Sequence, residues 1–233
     1  MSGPFGAVIF DLDGVLVDAE VWWDEVRIDF ARRHDRTWTE ADRRAIMGAN
    51  SFGWSTLMRE RLGLEGLPRA VIEGEVVAAM VERYRAAGAP RIPGAVETVR
   101  RIAADLPVAV ASSGPPSIIA AALNALGIAD LFAAVVSSDE VPVGKPAPDV
   151  YRLAAARLDV PPERCLVVED SVNGVLAGRA AGMTVVLVPN AAIPPAPGAR
   201  EAASVVLDRI DQLDPARIVE TLAAGPVQQT TAG

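Results

Sequence analysis

Two pairs of acidic residues in this sequence could hold a divalent cation. Asp11 and Asp13 stand two positions apart directly after a short apolar run, so in extended geometry their side chains would share a face. Glu169 and Asp170 follow another apolar run and would bring further oxygens to the same place. Neighbouring carboxylates repel each other unless a cation lies between them or one holds a proton. Oxygen ligands in this number suit Mg²⁺, whereas the sulfur and imidazole ligands typical of zinc are absent here. The alternative is that an aspartate at the end of a strand caps a helix or a turn. Each cap needs only one such group, so capping does not explain a cluster of four acidic residues.

Two further segments could bind an anion beside such a cation. The segment 112–116, Ser112-Ser113-Gly114-Pro115-Pro116, predicts a strand-to-helix turn, because proline is tolerated at the first positions of a helix. Its hydroxyls and the free N–H groups of the helix start would form an anion-binding turn. Lys145 stands next to Pro146, and its ammonium would neutralise phosphate charge. Taken alone, the serine segment could be an ordinary helix N-cap, and Lys145 could be an ordinary surface lysine.

The elements that must position these residues follow from the apolar pattern. Runs that are too short for a helix and apolar on both faces, as in a covered parallel sheet, lie at residues 7–10, 108–111, 133–136, 165–168 and 184–188. Amphipathic stretches of helical length lie between them at residues 94–105, 116–126, 148–158 and 172–181. This alternation predicts an α/β fold with a doubly wound parallel sheet. Ligands of such sheets bind at the carboxyl ends of the strands, which is where the residues above stand.

The interval from residue 15 to residue 92 is far longer than one crossover helix. It predicts an inserted all-helical cap with helices at residues 20–33, 40–47, 53–62 and 68–87. Its connections, near residues 14–18 and 90–93, contain Gly or Pro, which suits a hinge or a fixed turn. We therefore expect a core of residues 1–14 and 93–224, a cap of residues 15–92, a surface loop at 190–199 and a mobile tail at 225–233.

Composition and charge exclude several classes of partner. The 233 residues are 51% hydrophobic and 22% charged, which is enough to bury a sizeable core. With 22 Lys and Arg against 30 Asp and Glu the net charge is −8. A protein with this excess of negative charge is not expected to bind nucleic acid or anionic membranes. The single cysteine, Cys165, lies in an apolar run and predicts an inert buried thiol. No apolar run approaches the ~18 residues of a membrane span, so we expect a cytoplasmic monomer or weak homodimer.

Four segments together resemble the haloacid dehalogenase (HAD) superfamily. More narrowly, they are similar to its branch of sugar-phosphate phosphatases and β-phosphoglucomutase, which carries a helical cap after the first strand. The match spans about residues 5 to 215, in order and with compatible spacing, and implies a Rossmann-like core. Its segments are Asp11-Leu12-Asp13-Gly14-Val15-Leu16-Val17-Asp18, Ser112-Ser113, Gly144-Lys145-Pro146-Ala147-Pro148-Asp149 and Glu169-Asp170-Ser171-Val172-Asn173-Gly174.

The resemblance implies a role for each acidic residue. Asp11 would attack phosphorus and become a transient aspartyl phosphate. Asp13 would protonate the leaving alcohol and then activate water, and it argues against dehalogenation because dehalogenases of the superfamily lack this second acid. Mg²⁺ would be bound by Asp170, the Asp11 carboxylate and the Asp13 backbone carbonyl. Glu169 would either coordinate the ion directly or hydrogen-bond to its ligands.

The remaining implied roles concern the substrate. Ser112 would hydrogen-bond the transferring phosphoryl group, with Ser113 in the same anion-binding turn and Lys145 beside it. In the cap, members of the family often show Asp-Ser-Glu-Pro-x-His, whereas this chain has Asp18-Ala19-Glu20-Val21-Trp22-Trp23. Glu20, Trp23 and Asn50 are the candidate cap contacts to substrate.

The cap motifs favour a hydrolase. Trp23 stands where the mutase carries a histidine, and Met47-Gly48-Ala49-Asn50-Ser51 lacks the arginine that grips a second phosphate in the mutase-like pattern. We therefore predict a Mg²⁺-dependent phosphatase of small phosphorylated metabolites, with sugar phosphates as the expected class. The alternatives are a β-phosphoglucomutase-type phosphosugar mutase and a non-catalytic phosphate-binding or phospho-receiver module.

Overall fold

Six strands form the centre of the protein in the part of the chain that the computed structural model describes, residues 4–46, 49–190 and 194–224. In chain order they are β1 Ala7–Phe10, β2 Val108–Ser112, β3 Phe132–Ser137, β4 Cys165–Glu169, β5 Thr184–Leu187 and β6 Val205–Val206. All neighbours pair in parallel, in the order β3-β2-β1-β4-β5-β6. The chain winds outward in both directions from β1 and β4, so the topological switch point lies between these two strands. The predicted α/β fold with a doubly wound parallel sheet is confirmed.

Within residues 15–92, where the cap is predicted, the structure describes four helices: α1 Glu20–Arg33, α2 Glu40–Ile46, α3 Ser51–Arg61 and α4 Arg69–Ala87. Their buried apolar side chains are continuous with those on one face of the sheet. The two segments that connect these helices to the sheet run side by side. The Asp18 N–H donates to Pro90 O (2.7 Å) and the Ile92 N–H to Leu16 O (3.0 Å). The division into core and cap at residues 14 and 92 remains a prediction.

The other helices cover both faces of the sheet: α5 Ala95–Ala103, α6 Pro116–Leu126, α7 Asp149–Leu158, α8 Val172–Ala180, α9 Ala199–Ala202 and α10 Pro215–Ala224. The alternation of side chains along a strand explains how one apolar run serves two layers. Val8 and Phe10 of β1 pack in the cluster that includes α5, α6 and α10. Ala7 and Ile9 pack in the cluster that includes α7, α8 and α9.

The predicted strands and helices agree with the structure to within two residues at each described end. The predicted end of the second cap helix at Met47, residues 191–193 of the predicted loop and the tail at 225–233 lie outside the described residues. Strand β6 and helices α9 and α10 were not predicted. Cys165 is fully buried in β4. Among the described residues, none of the helices has the length and apolar character needed to cross a membrane.

Candidate active site

The carboxyl ends of β1, β2 and β4 bring the predicted site residues together. Asp11 follows β1 directly, and its N–H donates to Val168 O of the neighbouring strand at 3.0 Å. Glu169 is the last residue of β4, and Ser112 is the last residue of β2 on the other side of β1. The site therefore lies at the switch point of the sheet, where residues from distant parts of the chain become neighbours.

Lys145 is a buried ammonium at the centre of this group. Its Nζ donates to Asp11 Oδ1 (2.5 Å), Glu169 Oε1 (2.6 Å) and the Ala111 carbonyl (3.1 Å), and its side chain is 4% exposed. The three donors of the ammonium thus have three acceptors, which offsets the cost of removing the charge from water. Tyr151, from α7, lies beside the ion pair: its hydroxyl donates to Glu169 Oε1 (2.7 Å), and its ring centroid is 4.8 Å from Nζ.

Glu169 pairs with Lys145 and is itself held by hydrogen bonds from the start of α8. Its Oε2 accepts hydrogen bonds from the backbone N–H groups of Asp170 (3.0 Å) and Ser171 (3.1 Å) and from Ser171 Oγ (2.9 Å). Burial alone would raise the pKa of Glu169, but the charge and hydrogen bond of Lys145, with these other donors, bring that pKa below its ordinary value. Both oxygens of an ionised Glu169 are therefore engaged by protein donors.

Two glycines make room for the carboxylates of the cluster. A Cβ at Gly174 would lie 1.7 Å from Glu169 Oε1, and a Cβ at Gly14 would lie 2.0 Å from Asp170 Oδ2. Gly14 also has a φ of +85°, a conformation that side chains disfavour. Any side chain at either position would displace an acidic group of the site.

The acidic cluster fits a hard divalent cation. One carboxylate oxygen from each of Asp11, Glu169 and Asp170 lies within 4.8 Å of the others. Burial raises the pKa of Asp11 to about 7, against the opposing charge of Lys145, and raises that of Asp170 well above its ordinary value. These carboxylates are thus costly to ionise even with the Lys145 ammonium beside them. Oxygen donors gathered in this way are the set that Mg²⁺ prefers.

Asp13 has a free, buried carboxylate oxygen. Its Oδ1 is sealed from solvent and has no hydrogen-bond partner among the described residues. Burial, followed by the charge of Asp11, raises the pKa of Asp13 to about 8. Asp13 therefore holds a proton at neutral pH in the metal-free protein.

The predicted anion-binding turn is fixed by hydrogen bonds at the start of α6. Ser112 Oγ accepts from the Gly114 N–H (3.1 Å), and Ser137 Oγ donates to the Gly114 carbonyl (2.6 Å). Because Ser112 Oγ uses a lone pair for this bond, its own proton remains available for a phosphoryl oxygen.

A cavity of about 370 Å³ connects these groups. The predicted site residues in its lining are Asp11, Asp13, Glu20, Ser112, Ser113, Lys145 and Asp170. The lining also includes Asp18 and Asn190, which sequence reasoning missed, with Asn190 Nδ2 3.4 Å from Asp18 Oδ1. Asn190 stands shortly after the end of β5, at the same edge of the sheet as Asp11, and this position is the signal that could have found it.

Two of the three predicted cap contacts are not among the described residues that line this cavity. Trp23 is buried, with its ring centroid 6.3 Å from that of Trp54. Asn50 is the N-cap of α3, where its Oδ1 accepts from the Gly53 N–H at 2.9 Å. Glu20, at the first turn of α1, does line the cavity, and burial raises the pKa of its carboxyl.

Comparison with known proteins agrees with this geometry. A family model described as haloacid dehalogenase-like hydrolase matches residues 5–182, and an HAD-hydrolase-like model matches residues 142–223. Hexitol phosphatase B from Escherichia coli (strain K12) is 32% identical over 195 residues, which cover 78% of this chain and 83% of the relative. Phosphorylated carbohydrates phosphatase from Thermotoga maritima is 33% identical over 183 residues, which cover 76% of this chain and 82% of the relative.

Solved structures lead to the same family. The crystal structure of CbbY from Rhodobacter sphaeroides in complex with phosphate matches with a TM-score of 0.79 and 26% identity, over 90% of this chain and 96% of the other. The family model spans most of the chain, and the relatives exceed 30% identity over more than two thirds of it. The protein is therefore an enzyme of the haloacid dehalogenase-like hydrolases, with relatives in the branch that includes sugar-phosphate phosphatases.

Proposed function

We propose that this enzyme is a Mg²⁺-dependent phosphatase that hydrolyses small phosphorylated metabolites, with sugar phosphates as the substrate class. The observation that carries the proposal is the position of the Asp11 carboxylate, which Lys145 holds at 2.5 Å in a cavity shared with Asp13, Asp170 and Ser112. The names of the relatives, a hexitol phosphatase and a phosphorylated carbohydrates phosphatase, support the substrate class.

Phosphoryl transfer would begin at Asp11. Its carboxylate oxygen attacks phosphorus, and the bond between phosphorus and the leaving oxygen breaks. Asp13 donates its proton to that leaving oxygen, a role that suits a carboxyl with a pKa of about 8. In the second half, ionised Asp13 accepts a proton from a water that attacks the aspartyl phosphate. This releases inorganic phosphate and restores both aspartates.

The other residues of the site would neutralise and position the phosphoryl group. Lys145 holds Asp11 and adds positive charge, while the Ser112 hydroxyl donates to a phosphoryl oxygen. Asp11, Asp170 and the Asp13 carbonyl would hold Mg²⁺, which supplies further charge neutralisation when bound. Because both oxygens of Glu169 accept protein hydrogen bonds, its proposed role is to position Lys145 and the backbone of Asp170.

The cap favours a hydrolase over a phosphosugar mutase. Trp23, at the position of the mutase histidine, is buried in the cap rather than in the cavity lining. The single histidine of the sequence, His34, lies at the far end of α1, where its ring centroid is 4.5 Å from that of Phe30. This chain therefore offers no histidine in the position of the mutase histidine, which favours a hydrolase.

Release of phosphate tests the proposal directly. Wild-type enzyme is expected to hydrolyse an aryl phosphate and members of a sugar-phosphate panel, and EDTA is expected to abolish this activity. Asp11→Asn should lower turnover by at least about 10³-fold, because the nucleophile is lost. Asp105→Asn, which changes an exposed aspartate after α5, is the matched control and should keep wild-type turnover.

Three results would overturn parts of the proposal. Wild-type turnover by Asp11→Asn would refute the nucleophile. Conversion of β-glucose 1-phosphate to glucose 6-phosphate faster than phosphate release, with a trace of the bisphosphate, would assign a mutase instead. Absence of any EDTA-sensitive hydrolysis would leave a non-catalytic phosphate-binding module.

A further inference from the structure

Tyr151 contacts the candidate active site but has no part in the proposed reaction. It is fully buried in the first turn of α7, shortly after Lys145 in the sequence. Its hydroxyl lies 2.7 Å from Glu169 Oε1, and its ring centroid lies 4.8 Å from Lys145 Nζ. An ionised carboxylate only accepts hydrogen bonds, so the tyrosine is the donor. One side chain thus contacts both members of the ion pair beside Asp11.

The Lys145 ammonium is shared between two carboxylates. Nζ donates to Asp11 Oδ1 at 2.5 Å and to Glu169 Oε1 at 2.6 Å, so the two acidic groups compete for one cation. This competition is strong in a buried site, because little water is present to weaken either attraction. The negative charge that remains on Glu169 therefore determines how strongly Lys145 is drawn away from Asp11.

The Tyr151 hydroxyl weakens the attraction between Glu169 and Lys145. Both donors bond to the same oxygen, Oε1, and each takes up part of its negative charge. Without the hydroxyl, Lys145 would be the donor left on Oε1 among the described residues. The ammonium would then move toward Glu169 and away from Asp11.

The fold holds this hydroxyl in a fixed position. Tyr151 packs in the apolar cluster that includes Ala109 and Ala111 of β2. The Ala111 carbonyl is also the third acceptor of Lys145 Nζ, at 3.1 Å, so the ring and the ammonium contact the same strand. The face of a phenol ring attracts an ammonium as well. Helix α7 and the sheet together therefore fix Tyr151 against the ion pair.

We infer that Tyr151 is a positioning residue, whose hydroxyl bonds to Glu169 and thereby keeps the Lys145 ammonium directed at Asp11 and the phosphoryl group. This inference rests on the proposed phosphatase function. Tyr151 is not among the described residues that line the cavity, so it acts through Lys145 and not on the substrate itself. Removal of the hydroxyl should slow the attack of Asp11 on phosphorus and leave substrate binding nearly unchanged.

Single-turnover kinetics test this inference. With Mg²⁺ present and enzyme in saturating excess over an aryl phosphate, the rate constant for alcohol release reports the attack by Asp11 and does not depend on the fraction of folded enzyme. Tyr151→Phe is expected to lower this rate constant about 10-fold and to change KM by less than about 2-fold. Tyr84→Phe is the matched control and should keep the wild-type rate constant. Tyr84 is the other tyrosine of the sequence and is also buried, and its hydroxyl has no partner among the described residues.

The position of the ammonium can be measured separately, because Lys145 is the single lysine of the sequence. In ¹⁵N-labelled protein its Nζ resonance needs no assignment, and burial with hydrogen bonds slows the exchange of its protons with water. In EDTA, Tyr151→Phe should shift this resonance, whereas Tyr84→Phe should leave it at the wild-type position. A role limited to stability would lower the Tm of Tyr151→Phe and move neither the resonance nor the single-turnover rate constant.

Each outcome supports or overturns the inference. An unchanged rate constant or an unchanged Lys145 resonance in Tyr151→Phe would overturn it, as would a loss confined to KM. If Tyr151→Phe does not fold, 3-fluorotyrosine incorporated into Tyr84→Phe keeps the ring and hydroxyl of Tyr151 but strengthens the donor. The Lys145 resonance should then move, and an unmoved resonance overturns the inference. If wild-type enzyme does not hydrolyse an aryl phosphate, the proposed function fails, while the resonance still decides whether Tyr151 positions Lys145.

Discussion

The carboxyl groups of Asp11, Asp13 and Asp170 are buried beside one another, and this determines their proton affinity. Burial raises all three pKa values because water no longer stabilises the charged forms; the charge of Glu169 raises those of Asp11 and Asp170 further, and the charge of Asp11 that of Asp13. Lys145 is the cation that opposes this effect at Asp11 and Glu169. Without a metal ion the raised pKa values favour the protonated carboxyl groups, and binding of a divalent cation would release those protons.

The stability of the metal-free protein should consequently fall as pH rises. Asp11 and Asp13, with folded pKa values of about 7 and 8 against an ordinary value of 3.8, bind protons that the unfolded chain has lost. Their contribution to stability is fully present below pH 3.8 and is lost as pH rises through 7 and 8. Thermal melts in EDTA should show a lower Tm at pH 8.5 than at pH 6, since the opposite shift at Glu169 acts only at acidic pH.

Mg²⁺ should reverse this loss, because it binds the ionised carboxylates. The rise in Tm on adding Mg²⁺ is expected to be larger at pH 8.5 than at pH 6. Asp13→Asn, which removes one of these raised titrations, should flatten the pH dependence in EDTA. An equal Mg²⁺ effect at both pH values would contradict the assignment of these raised pKa values to the metal site.

At the residue scale the sequence predicted most of the groups that follow strands but missed Tyr151, which reaches the site from inside a helix. Asp11, Ser112 and Asp170 each follow or end a strand, and parallel strands bring such positions to one edge. Tyr151 lies inside α7, and only the packing of that helix on the sheet aims its hydroxyl at Glu169. The spacing of residues along a helix does not reveal such a long-range contact.

Among the elements, α8 is the helix whose approach to the sheet shapes the site. Gly174 and Gly178 stand one turn apart on it, and a Cβ at Gly178 would lie 2.7 Å from Val185 Cγ2 of β5. The N-cap of the helix, Ser171, accepts from the Gly174 N–H (3.1 Å) and donates to Glu169. Two glycines on one face thus let the helix start close enough to bind the carboxylate that holds Lys145.

Gly174→Ala should therefore destabilise the protein, although alanine favours helices. The added Cβ would overlap Glu169 Oε1, so the expected loss in the free energy of unfolding is about 3 kcal/mol or more, with loss of phosphatase activity. Gly74→Ala in α4 is the matched control, because nothing lies within 4 Å of a Cβ there. It should stabilise by about 0.5–1 kcal/mol. Urea denaturation compares the two; similar stability changes would show that α8 does not need its glycine.

The shortest elements could not be predicted from the sequence, although α10, with ten residues, was also missed. Strands β1 to β5 appear as apolar runs of their own, and α1 is predicted with its observed bounds. Strand β6 has two residues and α9 has four, so neither is long enough to repeat its pattern. Their backbone is fixed by pairing with β5 and by packing on the sheet, which are contacts between parts of the chain that the sequence does not show to be close.

On the scale of the whole molecule, the Ser51 side chain links α3 of the cap region to the residues that follow β3. Ser51 Oγ donates to Asp139 Oδ2 at 2.8 Å, at the N-terminus of α3. Asn50, beside Ser51, lies near the loop that carries Lys145, with its Cβ 3.9 Å from a Cβ placed at Gly144. Movement of α3 away from the core would break this contact, which is separate from the pairing of the connecting segments at Val17 and Arg91.

Ser51→Ala should make movement of α3 away from the core more frequent. A lost hydrogen bond of about 0.5–1.5 kcal/mol corresponds to a 2- to 10-fold rise in the open population. Hydrogen exchange at the amides of residues 51–61 should accelerate by that factor. Fraying of α3 is not the expected cause, since alanine has the higher helix propensity. Thr56→Ala, which removes an exposed hydroxyl that bonds only within α3, is the control and should leave exchange unchanged. Equal exchange in the two variants would mean that Ser51 and Asp139 do not hold the cap region to the core.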